Sequence, residues 1–127
     1  MNMETALIAE DDEANQLLLR TILRGYGFKT IIADNGEEAL AYYKKNKDIN
    51  IVLLDMHMPY LSGLDVVRKI RHIEGREKRK HVPVIAVTAF AQKGNRETCL
   101  EAGCDAYIAK PFDQKNLLKL LNRYRFG

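Results

Sequence analysis

The sequence predicts an α/β protein, an open doubly wound three-layer sandwich around a five-stranded parallel sheet. Three observations predict it. Short apolar runs alternate with amphipathic segments five times along the chain. The runs are too uniformly apolar for a sheet with one wet face and read as strands covered on both sides. Five strand–helix units are too few to close an eight-stranded barrel, so the sheet stays open, with right-handed crossovers placing helices on both faces. At 127 residues the chain is read as one domain, 1–127, long enough for a real core.

Thr5 to Ala9 is the first buried strand, and it runs into the acids Glu10, Asp11, Asp12 and Glu13. Acids favour a helix N-terminus through capping and the dipole, and the helix that follows carries Leu18 and Ile22 on its inward face. Gly25 and Gly27 punctuate its end. Phe28 to Ala33 is the second strand. Asn35 caps the next helix, which is expected to have Glu37 and Glu38 in its first turn, Lys44, Lys45 and Lys47 in its last, and an inward stripe of Ala39, Leu40 and Tyr43.

The third strand, Ile51 to Asp55, is the centre of the design: four apolar residues deliver an aspartate to the strand's carboxyl end, and Pro59 follows. Ligands in open α/β sheets gather at that edge. Ser62 and Asp65 form an approximate capping box for a helix presenting Val66, Ile70 and Ile73, which Gly75 is expected to end. Val82 to Val87 is the fourth strand, with Pro83 at its start, where a missing donor is tolerated. A weakly patterned helix, roughly Lys93 to Ala102, leads through Gly103 to the fifth strand, Ala106 to Ala109. The last helix opens at Asp113 and sets Leu117, Leu120, Leu121 and Tyr124 on one face.

Composition excludes several classes. Hydrophobic residues make up 46% and charged residues 29%, ordinary for a soluble globular protein. No run approaches the ~20 apolar residues of a membrane helix, and no leader is expected at Met1, so the expected location is the cytoplasm. Cys99 and Cys104 lack the companion spacing of a zinc site and are expected to be reduced packing thiols. The net charge of +3 is too mild to indicate nucleic acid. The basic run from Arg76 to His81 has no interleaved aromatics and is read as a solvated connection.

Glu10 and Asp11 follow the first strand, Asp55 ends the third, Thr88 the fourth, and Lys110 follows the fifth. All therefore fall on one edge of the sheet. Taken singly, the acids read as helix caps, Thr88 as an ordinary strand end and Lys110 as a solvated turn. Together they point to chemistry. Three clustered carboxylates repel unless a cation neutralises them, and all-oxygen ligation favours Mg²⁺ (or Mn²⁺). A lysine and a hydroxyl at the same edge suit phosphoryl oxygens. Asp55, set between cation and lysine, is placed to attack phosphorus and form an acyl phosphate.

These stretches resemble the receiver domain of two-component response regulators over essentially the whole chain. The residues that carry the resemblance are Leu7 to Asp11, Leu53 to Pro59 with Gly63, Val87 to Ala89, Glu101 to Gly103 and Tyr107 to Phe112. The segment Asn95 to Gly103 is similar to receivers of hybrid histidine kinases and phosphorelays. The resemblance implies a flavodoxin-like sheet of order 2-1-3-4-5, with Asp55 the phosphoacceptor served by a sensor histidine kinase or a histidine phosphotransfer protein. It implies Glu10, Asp11, Asp55 and the main-chain carbonyl of His57 as metal ligands, Thr88 and Lys110 as phosphoryl-binding groups, and Thr88 with Tyr107 as the switch pair. It implies a signalling domain that catalyses only its own phosphotransfer and dephosphorylation and binds neither nucleic acid nor membrane. The chain departs from the family at Leu61 and Ser62, where Met and Asp are common, and at Glu10, where aspartate is more frequent.

His57 lies two residues beyond Asp55 and Phe90 two beyond Thr88. Both are expected to border the path of water toward an acyl phosphate and so to set its lifetime. Two rivals remain at this level. An aspartate-nucleophile phosphohydrolase of the haloacid dehalogenase type needs a second aspartate where this chain has His57, and a phosphorylation-independent interaction module would not need the full set of site residues. No output domain is expected after Tyr124, and the chain reads equally as a stand-alone receiver or as part of a larger protein.

Overall fold

Successive side chains along each central strand leave for opposite faces of the sheet, and that alternation builds the layers. In the computed structural model, which describes residues 3–89 and 93–125, the elements run β1 (Glu4–Ala9), α1 (Glu13–Gly25), β2 (Phe28–Ala33), α2 (Gly36–Lys45), β3 (Ile49–Asp55), α3 (Gly63–Glu77), β4 (Val84–Thr88), α4 (Lys93–Ala102), β5 (Ala106–Ala109) and α5 (Gln114–Arg125). Ala6 and Ile8 of β1, Ile51 and Leu53 of β3 and Ile85 and Val87 of β4 pack with Leu19, Ile22 and Leu23 of α1 and Leu117 and Leu121 of α5. Leu7, Val52, Leu54, Val84 and Ala86 point the other way, against Tyr43 of α2, Val66, Ile70 and Ile73 of α3 and Cys99 of α4. The sheet is thus sandwiched between helices, as its apolar strands require.

All strand pairs are parallel and the order is β2-β1-β3-β4-β5. The chain starts mid-sheet, steps outward to β2, then returns past β1 to continue in the other direction. The reversal opens a crevice at the carboxyl ends of β1 and β3.

Asp12 caps α1, its carboxylate accepting from Asn15 N at 2.9 Å. The inward stripe is Leu19, Ile22 and Leu23, whereas Leu18 is 45% exposed. Leu17, Leu18 and Leu19 are consecutive, and each step turns the helix by about 100°, so the sequence offers three phases and packing selects one. Asn35 and Ser62 cap α2 and α3 as expected, accepting from Glu38 N and Asp65 N. Gly75 does not end α3. The helix continues to Glu77 and stops at Lys78, held at φ 55, with Arg79 N bonded to Glu74 O at 3.0 Å. A solvent-facing glycine costs a helix only ~1 kcal/mol, less than the interactions that carry the helix past it.

Those interactions centre on Arg71. Its guanidinium donates to Glu74, to Val82 O at 2.8 Å, to Gly103 O at 2.9 Å and to Asp105 Oδ2 at 2.8 Å. Glu74 and Asp105 in turn accept from Val82 N and Val84 N. Val82 is therefore tied to α3 rather than to the ladder, and β4 begins at Val84, two residues later than expected. The basic run is not simply solvated either. Arg79 is 10% exposed, donates to Tyr43 O at 2.7 Å and Lys44 O at 2.9 Å, and stacks 4.7 Å over the Tyr43 ring, which staples α2 to the chain beyond α3. Gly103, at φ 122, closes α4 with Gly103 N bonded to Leu100 O and Cys104 N to Cys99 O, the paired bonds of a Schellman turn. Cys99 and Cys104 are buried and outside any disulfide, and burial pushes the Cys104 thiol up to about 12.

Candidate functional site

Asp55 ends β3 and is 4% exposed. The ladder reaches one residue further, through Met56 N to Val87 O at 3.2 Å, and then the chain folds back so that His57 N donates to Asp55 Oδ1 at 2.9 Å. Oδ1 is thereby held, while Oδ2 faces Lys110 Nζ at 3.3 Å. Gly63 closes the loop on top of the strand end. A Cβ there would lie 2.6 Å from Asp55 O and 2.8 Å from Met56 Cα, so no larger residue fits while the aspartate keeps its place.

Glu10, just past β1, is 1% exposed. Its Oε2 accepts from Asp12 N at 3.0 Å and its Oε1 from Lys110 Nζ at 2.7 Å. Asp11 beside it is exposed. One carboxylate oxygen from each of Glu10, Asp11 and Asp55 lies within 4.8 Å of the others. The longer arm of glutamate thus still reaches the cluster. Three carboxylates against one ammonium leave a formal deficit of two positive charges, and burial, reinforced by Asp55, raises the Glu10 pKa above its ordinary value. Burial by itself would lower the Lys110 pKa, but the hydrogen bond to Glu10 and the charge of Asp55 outweigh it and the net shift is upward. A hard divalent cation fits this donor set and this deficit.

Thr88 ends β4 at 1% exposure, and its carbonyl accepts from Lys110 N at 2.7 Å, so the two residues are positioned together. A cavity of about 60 Å³ lies beside Thr88, lined by Met56 and His57 from the loop after β3, by Leu64, and by Asn95, Thr98 and Cys99 of α4. Tyr107 on β5 is half-buried and packs against the core on the α4 side, and burial raises its pKa. Glu10, Asp11, Asp55, Thr88 and Lys110 therefore meet at one crevice, and the exposed residue His57 borders it. Phe90 lies outside the described residues.

The sequence reading did not identify Gln16. From α1 its Nε2 donates to Glu10 O at 2.6 Å and to Asp34 Oδ1 at 2.7 Å. A glutamine in the early turns of a helix carries no local signature, and only the pairing of β1 with β2 brings Asp34 within its reach.

The pattern of the response regulator receiver domain matches residues 6–122. Hybrid signal transduction histidine kinase I of Dictyostelium discoideum is 43% identical over 123 residues, which cover 94% of this chain and 7% of that protein. The chain thus spans a small fraction of that relative's length. The receiver domain of the sensor histidine kinase PA1611 from Pseudomonas aeruginosa PAO1, solved with a magnesium ion in its active site cleft, superposes with a TM-score of 0.87 at 32% identity, covering 99% of this chain and 100% of that one. A co-crystal structure of the Saccharomyces cerevisiae phosphotransfer protein Ypd1 with the receiver domain of Ssk1 matches at 0.87 and 29%, covering 96% of this chain and 88% of the other. Among the described residues no helix is long and apolar enough to cross a membrane. With the acidic crevice, the lysine and the sheet order all in agreement, this chain belongs to the response regulator receiver domain family.

Proposed function

We propose that the chain accepts a phosphoryl group on Asp55 from a phosphohistidine of a sensor histidine kinase or a histidine phosphotransfer protein. The observation that carries this reading is Asp55 Oδ2 facing the Lys110 ammonium at 3.3 Å inside a carboxylate cluster two charges short of neutrality. Oδ2 attacks phosphorus in line, the P–N bond to the donor imidazole breaks, and the imidazole leaves with the electron pair. His57 N–H keeps Oδ1 fixed during the attack, so the reacting oxygen is presented in one orientation. Lys110 and the Thr88 hydroxyl take the equatorial phosphoryl oxygens. Glu10, Asp11, Asp55 and the His57 carbonyl would hold Mg²⁺ or Mn²⁺, which supplies the neutralising charge that lets a phosphoryl dianion approach.

Phosphorylation then draws Thr88 toward the phosphoryl group and lets Tyr107 turn inward, remodelling the face of α4, β5 and α5 for a downstream protein. The domain works in the cytoplasm as a phosphoacceptor that catalyses only its own phosphotransfer and dephosphorylation. Incubation with acetyl phosphate followed by phosphate-affinity electrophoresis tests the reading. A shifted band is expected for the wild type with Mg²⁺ and is lost in Asp55→Asn and in EDTA. Undiminished labelling in either case overturns it.

A further inference from the structure

We infer that Gln16 is a positioning residue for the cation site, holding the main chain of Glu10 so that its long side chain meets the cluster in one conformation. The inference rests on the phosphoacceptor reading and adds a part to it. Glu10 is bonded at every polar atom. Its N donates to Ala33 O at 3.1 Å, its carbonyl accepts from Gln16 Nε2 at 2.6 Å, and its two carboxylate oxygens accept from Asp12 N and Lys110 Nζ. Three of these partners are main-chain groups or the phosphoryl-binding Lys110. Gln16 is the only side chain that holds the Glu10 backbone among the described residues.

The two partners require a side chain that donates twice. Both partners of Nε2, a carbonyl and the Asp34 carboxylate, are acceptors, so only the NH₂ end can face them and both of its hydrogens are used. The second bond extends the bridge to the end of β2, where Asp34 N donates to Glu38 Oε1 at 2.8 Å and Glu38 N to the Asn35 cap. The β1–α1 turn that carries Glu10 and Asp11 is thus braced to α2 by a continuous chain of hydrogen bonds. A glutamate has one more rotatable bond than an aspartate, and each extra freedom must be frozen when a cation binds. Fixing the backbone beneath it leaves only the side chain to be ordered and fixes the point from which the long arm reaches, which is how residues outside the ligand set tune metal sites.

Gln16→Met keeps the length and the helix propensity and removes both donors. Mg²⁺ affinity is measured by calorimetric titration on each variant and on the wild type, with circular dichroism as the check on folding. Gln16→Met is expected to bind Mg²⁺ roughly tenfold more weakly and to reach wild-type labelling by acetyl phosphate once Mg²⁺ is saturating. Asp34→Ala cuts only the far half of the bridge, at an exposed residue that keeps the fold testable should Gln16→Met not fold. It is expected to weaken Mg²⁺ binding by a smaller factor in the same direction. Wild-type affinity in folded Gln16→Met, or in Asp34→Ala if that variant must stand in, overturns the positioning role and leaves the phosphoacceptor reading intact. A wild type that binds no Mg²⁺ overturns both.

Discussion

Lys110 Nζ lies 2.7 Å from Glu10 Oε1, joining residues one hundred positions apart across the reversal point of the sheet. The contact is asymmetric. Lys110 gains more from its carboxylates than it loses by burial, whereas Glu10 loses more by burial than Lys110 returns.

The asymmetry sets a pH dependence. The folded pKa of Glu10 is raised, so from its ordinary value of 4.5 upward the folded chain retains a proton that the unfolded chain releases. Stability from this group is full below that value and is lost as pH rises through the raised one. In metal-free urea titrations taken upward from pH 4.5, wild type should lose stability relative to Glu10→Gln. Mg²⁺ at one hundred times its dissociation constant should return about 2.7 kcal/mol to wild type and less to the variant. Parallel pH curves for the two proteins would show that Glu10 carries no such strain.

The switch should depend on the Thr88 hydroxyl. A hydrogen bond to a charged group is worth about 1.5–3 kcal/mol, so Thr88→Ala should still accept phosphate but populate the switched state on the order of tenfold less. Amide shifts on adding beryllofluoride measure this. Shifts across α4 and β5 as large in Thr88→Ala as in wild type would remove Thr88 from the coupling.

Lifetime of the acyl phosphate should be governed by Phe90 more than by His57. Apolar bulk beside an acyl phosphate excludes water without fine geometry, whereas an imidazole must orient it. Decay of the phosphorylated protein should quicken roughly tenfold in Phe90→Ala and slow modestly in His57→Ala. Unchanged decay in Phe90→Ala would place the control of lifetime elsewhere.

Arg71 should matter to stability far more than its neighbours. Arg71→Met strands the carboxylates of Glu74 and Asp105, which are 9% and 21% exposed as side chains, and should cost about 3 kcal/mol in urea unfolding at unchanged m value. Arg76→Met removes an ion pair whose arginine is 63% exposed and should cost no more than about 0.5 kcal/mol. Equal losses in the two variants would deny the network its role.

The sequence by itself determined the alternation of strands and helices, the caps at Asn35 and Ser62, and the arrival of Glu10, Asp11, Asp55, Thr88 and Lys110 at one edge. These follow from local rules: apolar runs form buried strands, right-handed crossovers keep parallel strands pointing one way, and a residue ending such a strand has one edge to occupy. The flavodoxin-like order came from family resemblance and agrees with the observed sheet. What tertiary structure decided is whatever depends on partners distant in sequence. It turned Leu19 inward and left Leu18 in water because adjacent leucines differ only in phase. It carried α3 past Gly75 and delayed β4 to Val84 because Arg71 and Glu74 find their partners in the chain around Val82 to Asp105. It drew Arg79 out of solvent onto Tyr43. It bonded Gln16 to Glu10 and Asp34, which no spacing encodes, because that bridge exists only once β2 lies beside β1.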